Sequence, residues 1–168
     1  MLKLPKGILT HPNVAGIDAR FNANLRLLFN KGRLQVPQWS FDEALQRALQ
    51  KTYDSKQLIQ GLEAIEAHLD AELKGLKALQ SQPGQNQKQR LSRLLILSND
   101  GSERFYHSAE SLLIRHGDRA LGCIVDATSE QLGLSFTKKS NPTKALLIHE
   151  RKALEGFLSA LAENGVAQ

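Results

Sequence analysis

The second half of the chain alternates short apolar runs with segments of helical periodicity. The runs at 94–97, 121–125 and 145–148 are continuous and bounded by turn residues, which is typical of strands buried on both faces. Apolar residues at helical spacing follow each run, from Phe105 to Leu113, through Leu132 and Leu134, and from Leu154 to Leu161. The pattern predicts the order βαβαβα, an α/β domain of three α/β/α layers with a mainly parallel sheet.

Polar residues support the predicted starts and ends of these helices. Ser102 is suited to cap the first helix, which His116-Gly117 would end. Thr128 and Gln131 have the spacing of a capping box at the start of the next helix. The turn residues therefore agree with the apolar pattern.

The pattern of apolar residues in the first half of the chain predicts mainly helix. Apolar residues share one helical face in a first segment that ends at Lys31-Gly32; they are Ile17, Phe21, Leu25, Leu28 and Phe29. Residues 34–39 are extended or loop-like, since a proline disfavours helix at the residue before it. Ser40 and Glu43 then form a capping-box pattern that predicts a further helix up to Lys51.

The longest predicted element is an amphipathic helix at about 56–80. Its apolar residues recur every three or four positions and form a leucine-rich seam of Leu58, Leu62, Ile65, Leu69, Leu73 and Leu76. Such a seam needs something to pack against. The sequence leaves open whether the seam covers the α/β domain or a partner, including a second copy of the chain.

A change of composition divides the chain into two regions. Residues 83–92 begin with Pro83-Gly84 and are rich in Gln, which favours a linker. The predicted organisation is a helical region at 1–82, a linker at 83–92 and an α/β domain at 93–168.

Composition narrows the class of protein. The chain has 168 residues, of which 41% are hydrophobic, and carries a formal net charge of +5. Its single cysteine, Cys123, excludes an intramolecular disulfide and fits a reducing compartment. No apolar run approaches the length of a membrane span, so we expect a cytoplasmic protein with no membrane partner.

Polar residues at strand ends are the first candidate site. Asn99, Asp100 and Asp126 follow the first two predicted strands, His149 follows the third, and Ser102 begins a helix. Ligands of open α/β sheets bind beyond the carboxyl ends of strands. We expect any small-molecule site at this edge, where Asp100 and Asp126 could pair for acid/base or Mg²⁺ chemistry. No P-loop is present, the histidines show no metal-ligand spacing, and no cofactor is predicted.

Basic residues near the predicted sheet are the second candidate site. The sequence pI of about 9.5 favours a polyanionic partner. The cations closest to the predicted strands and their loops are Lys88, Arg90, Arg93, Lys138, Lys139 and Lys144. A second basic set comprises Arg20, Arg26, Lys31 and Arg33.

The C-terminal half resembles a known family. The segment 95–100 with Ser102-Glu103, the turn at 129–133 (Ser-Glu-Gln-Leu-Gly) and the strand and helix at 145–163 are similar to the kink-turn-binding large-subunit ribosomal proteins of the seven-Ae and thirty-e type. The resemblance covers about 75 residues and implies an α/β/α fold and RNA binding. The family's RNA-contacting Gly-x-Asn-Glu helix start is not found, and residues 53–58 in the comparable place lack its glycine and asparagine.

Three functions remain in order of preference. The first is a non-enzymatic RNA-binding or ribosome-associated protein whose basic loops contact phosphates. The second is a protein-interaction or assembly module that uses the seam. The third is a nucleotide-binding protein or enzyme with its site at the strand ends.

Overall fold

The structure is a computed structural model that describes residues 3–80, 90–137 and 141–165. The strands are β1 (Leu25–Leu27), β2 (Gln35–Trp39), β3 (Leu58–Gln60), β4 (Arg93–Leu97), β5 (Ala120–Val125) and β6 (Ala145–Ile148). The helices are α1 (Val14–Asn22), α2 (Glu43–Asp54), α3 (Leu62–Gln80), α4 (Glu103–Arg115), α5 (Ser129–Thr137) and α6 (Arg151–Gly165), with a short 3-10 helix at Lys6–Ile8. The predicted α/β class is confirmed.

The six strands form one sheet in the order β1-β2-β5-β4-β6-β3. β5 pairs in parallel with β2 and with β4, whereas β1–β2, β4–β6 and β6–β3 are antiparallel. The sheet is therefore mixed, and the third predicted strand runs opposite to the expected direction. After α5 the chain returns to the start of that helix, where Thr143 N donates to Ser129 O over 2.9 Å, so β6 enters the sheet at the edge where β5 leaves it.

Helices cover both faces of the sheet, as the three-layer prediction requires. Leu94 and Ile96 belong to the core cluster formed with α1, α2, α5 and α6. Leu95 and Leu97, which alternate with them along β4, belong to the cluster formed with α3 and α4. This alternation explains why the central strand is apolar at every position.

The N-terminal half contains three strands, whereas the sequence predicts a mainly helical region in which only 34–39 is extended or loop-like. It supplies β1, β2 and β3 to the same sheet as the C-terminal half. The first predicted helix ends at Asn22, and Asn24, with φ of 52°, turns the chain into β1. Apolar residues at 25 and 28 fit helical spacing, but pairing of Leu25 with Pro37 decides the conformation. The β2–β5 ladder begins at Gln38, after the proline that lacks a donor.

The long helix is shorter than predicted. Leu58 lies in β3 and pairs with Ile148, and Gly61, with φ of 90°, allows the turn into α3. Ile65 and Leu69 are buried in the core against the sheet. This part of the seam therefore covers the protein's own sheet, which is one of the two alternatives that the sequence left open. A partner or a second copy of the chain is not needed to bury Ile65 and Leu69.

The predicted linker falls largely outside the described residues. Its last residues, 90–92, are packed on the N-terminal segment, since Leu91 is buried and its N–H donates to Lys3 O over 2.7 Å. Among the described segments, no helix is both long enough and apolar enough to span a membrane.

Candidate functional sites

The loops that leave β4 and β5 meet at one edge of the sheet, called here the carboxyl edge. The two strands are adjacent and parallel, but α4 and α5 lie on opposite faces. Such a switch point opens a crevice at which α/β proteins bind ligands. Asn99, Asp100, Ser102 and Asp126 all lie at this edge, as the sequence predicts.

Asp100 caps helix α5 from the neighbouring loop. Its Oδ1 accepts from Ser129 N (2.9 Å) and Ser98 Oγ (2.8 Å), and its Oδ2 accepts from Ser129 Oγ (2.9 Å). Partial burial works to raise the pKa of Asp100, but these hydrogen bonds outweigh burial and hold the pKa below its ordinary value. The protein's own carboxylate thus occupies the end of α5 that would otherwise attract an anion.

The other residues of the carboxyl edge are also held by local hydrogen bonds. Asn99 Nδ2 donates to Asp126 Oδ1 over 3.1 Å, which joins the two loops. Ser102 Oγ accepts from Phe105 N over 3.1 Å and caps α4, as predicted. Thr128 and Gln131 form the predicted capping box, with each backbone N–H donating to the other's side chain. Asp42, and not Ser40, caps α2 by accepting from Leu45 N.

His149 does not belong to this edge, which corrects the predicted ligand set. Because β6 is antiparallel to β4, its last residues lie beside Leu94, where β4 begins. The ring of His149 packs edge-on against His68 of α3, with centroids 4.9 Å apart. Burial lowers the pKa of His149, and the neighbouring His68 lowers it further.

An ion-pair cluster ties α3 to the amino edge of the sheet, where β4 and β5 begin. Its members are Glu66, Asp70, Glu72, Arg93, Arg115 and Arg119. Arg93 Nε donates to Glu72 Oε1 over 3.1 Å and Arg93 Nη2 to Glu72 Oε2. Burial works to raise the pKa of Glu72, but the charges and hydrogen bonds of its arginines lower it below the ordinary value. Buried His116 contacts Asp70 at 3.0 Å, and burial lowers its pKa.

The structure places the first predicted set of basic residues in different surroundings. Arg93 is bound on two nitrogens by Glu72, and Arg90 Nη1 donates to Leu4 O over 3.1 Å. Lys144 is exposed at the carboxyl edge, with its Nζ 6.0 Å from the centre of the Phe105 ring. Lys88, Lys138 and Lys139 lie outside the described residues.

Five exposed cations surround α4 and form what we call the basic face. They are Arg26, Lys31, Arg33, Arg104 and Lys144. Glu110 of α4 holds the loop that carries two of them, since its Oε2 accepts from Arg33 N (2.9 Å) and Leu34 N (3.1 Å). The charge of Arg26 acts on Tyr106, whose phenol is packed beside Phe105. Arg26 reaches this face because β1 pairs with β2, a pairing that the local sequence pattern does not predict.

A groove lies beside the crevice, between α2 and α5. Its volume is about 640 Å³. It is lined by Ser40, Phe41, Asp42, Gln46, Asp126, Gln131, Leu134 and Ser135. Only Asp126 among these belonged to the predicted site, because the end of β2 was not recognised as a neighbour of β5. In the described ranges, no group of three or more His, Cys, Asp or Glu side chains could hold a metal ion.

Comparisons with known proteins add little to this geometry. No protein-family model matches the chain, and no curated protein matches it. A solved structure described as a protein with unknown function from Bacillus halodurans C is 21% identical, with a TM-score of 0.42, and covers 72% of this chain and 97% of that chain.

Proposed function

We propose that the protein binds RNA in the cytoplasm through the basic face, without a catalytic role. The observation that carries the proposal is the contrast between the cations at the amino edge of the sheet and those around α4. At the amino edge, Arg93, Arg115 and Arg119 are neutralised by the carboxylates of α3. Around α4, none of the five cations forms an ion pair with a described residue.

The local charge of the basic face favours a phosphate backbone. Five cations stand against three nearby carboxylates, those of Asp100, Glu103 and Glu110. Asp100 already caps α5, and the buried Glu110 accepts from the backbone N–H groups of Arg33 and Leu34. The N-terminus of α4 adds a partial positive charge at the same place. Phosphate contacts by exposed Lys and Arg, with release of counterions, supply most of the affinity of non-specific nucleic-acid binding.

The proposal replaces part of the predicted contact set. It retains Lys144 from the first predicted set, takes Arg26, Lys31 and Arg33 from the second, and adds Arg104. It leaves out Arg93, whose charge is satisfied inside the protein. Membership of the kink-turn-binding ribosomal family stays a prediction on which the proposal does not depend.

The test is the salt dependence of RNA binding by charge-reversed variants. Fluorescence anisotropy of a labelled RNA hairpin would be followed across a salt series for wild type, Lys31→Glu/Arg33→Glu and Arg104→Glu/Lys144→Glu. The matched control is Arg151→Glu/Lys152→Glu, two exposed cations at the start of α6 on the opposite face. We expect each lost phosphate contact to reduce the slope of log K against log salt by about 1.

The control variant shows whether RNA binding depends on the basic face or only on the net charge of the protein. Both face variants should weaken binding, while the control should leave the slope nearly unchanged. Equal weakening by the control would show that binding follows net charge alone. Absence of RNA binding by wild type at low salt would refute the proposal outright.

A further inference from the structure

The groove between α2 and α5 differs in chemistry from the basic face and shares no residue with it. Asp126 N donates to Trp39 O over 2.9 Å, which places Asp126 beside Ser40 at the adjacent ends of β5 and β2. These strands are parallel, so the groove opens at the edge of the sheet where α/β proteins bind ligands. Its volume falls in the range of about 300–1,000 Å³ found for small-molecule sites.

In the described part of the chain, the charged side chains that line the groove are two carboxylates, those of Asp42 and Asp126. Asp42 Oδ1 accepts from Leu45 N (2.9 Å), and Asp126 Oδ1 accepts from Asn99 Nδ2 (3.1 Å). The second oxygen of each carboxylate accepts no hydrogen bond from the residues that the structure describes. Among the residues that the structure describes, no Lys or Arg lines the groove, although the protein as a whole is basic. These free acceptors would repel a phosphate and attract a cation.

The same groove presents apolar surface and fixed polar neighbours. Leu134 is 46% exposed and faces the groove together with the half-buried Phe41. Gln46 Nε2 donates to Phe41 O over 3.1 Å, and Ser135 Oγ to Leu132 O over 2.7 Å, so two of the polar lining side chains are held in place. Hydrocarbon of a ligand would bury the exposed leucine.

We propose that this groove is a binding site for a small organic amine that carries a hydrocarbon arm. The ammonium group contacts the free oxygens of Asp42 and Asp126, and the arm packs on Phe41 and Leu134. A metal ion is a poorer occupant, because the described residues assemble no set of three metal-ligating side chains here. This ligand would be positively charged, in contrast to the RNA proposed for the basic face.

The test uses three phenyl-containing probes of similar size and different charge. Phenethylamine, phenethyl alcohol and phenylacetate would be titrated into the labelled protein while backbone amide shifts are recorded by NMR. We expect the amine to shift amides in 40–46 and 126–135, the alcohol to bind about fivefold or more weakly, and phenylacetate not to bind.

Conservative variants separate the site from the fold. Asp42→Asn keeps a good helix cap, and Asp126→Asn keeps the oxygen that Asn99 contacts, so both remove charge with little structural cost. Each should weaken amine binding about fivefold, whereas Asp18→Asn on exposed α1 should not. RNA binding by these variants should not fall, which keeps this proposal distinct from the previous one.

Two outcomes would overturn the proposal. One is equal binding of the amine and the alcohol, which would leave the carboxylates without a role. The other is amide shifts that lie outside the groove or persist undiminished in both Asp variants.

Discussion

Replacing Glu72 by Gln removes the central charge of the ion-pair cluster. The Glu72 carboxylate accepts hydrogen bonds from Arg93 Nε and Nη2, and a third from Arg119 Nη1 over 3.1 Å. The side chains of Arg93 and Arg119 are only 16% and 9% exposed, so water cannot fully replace the lost carboxylate. Glutamine keeps the shape and one acceptor oxygen but leaves the two guanidinium charges without a counterion.

The expected cost follows from this burial. Removal of one partner of a fully buried ion pair costs about 3–5 kcal/mol. Glu72 is 23% exposed, and its amide replacement still accepts one hydrogen bond, so we expect the free energy of unfolding to fall by about 2–3 kcal/mol. In a domain of this size the melting temperature should fall by about 5–10 °C.

Urea denaturation of wild type and Glu72→Gln, with linear extrapolation, would measure this loss. Glu66→Gln is the matched control, because Glu66 lies on the same helix, contacts Arg115 at 3.3 Å and is 52% exposed. An exposed pair of this kind contributes less than about 1 kcal/mol. A loss in Glu72→Gln no larger than that in the control would refute the argument that desolvated arginines depend on Glu72.

The difference in the free energy of unfolding between wild type and Glu72→Gln should also depend on pH. The pKa of Glu72 in the folded protein lies below its ordinary value of 4.5, so the unfolded chain binds the proton more readily. The contribution of Glu72 to stability is therefore complete above pH 4.5 and is lost as the pH falls through the folded-state pKa. The difference in stability between wild type and Glu72→Gln should shrink over this range, and a difference that grows on acidification would contradict the assigned shift.

Two further predictions concern packing. Gly75→Ala should raise the free energy of unfolding by about 1 kcal/mol, since nothing lies within 4 Å of the added methyl in α3. Gly133→Ala should lower it by about 1–3 kcal/mol, because its methyl would lie 2.0 Å from Asn141 O. The urea midpoints of the two variants should therefore shift in opposite directions from that of wild type. Cys123 is fully buried and burial raises the pKa of its thiol, so a maleimide should label it only as fast as the protein opens, and rapid labelling under native conditions would contradict its burial.

The three apolar runs of the C-terminal half were correctly predicted as strands, because each has no polar position that could face water. The caps at Ser102 and at Thr128 with Gln131 were also predicted, since a cap depends on residues three positions apart. Near the start of α2 the same reasoning chose Ser40, but Asp42 is the cap. Two polar residues so close together compete, and the backbone conformation selects one.

The missed features all depend on contacts between distant segments. β1 and β3 are three residues each, and their apolar spacing fits a helix as well as a strand. His149 was placed at the carboxyl edge because periodicity carries no information on strand direction. Arg93 was assigned to RNA, although Glu72 across the linker neutralises it.

Local pattern by itself determined the α/β class, the central strands, the starts of α4 and α5 and the basic charge of this protein. These properties depend on residues within one or two turns of each other, so the chain displays them directly. Only the tertiary structure decided which strands are neighbours and in which direction they run. That choice depends on the packing of segments far apart in the chain. It neutralised one group of cations, left those of the basic face without an ion pair to a described residue, and brought Asp42 and Asp126 to one groove.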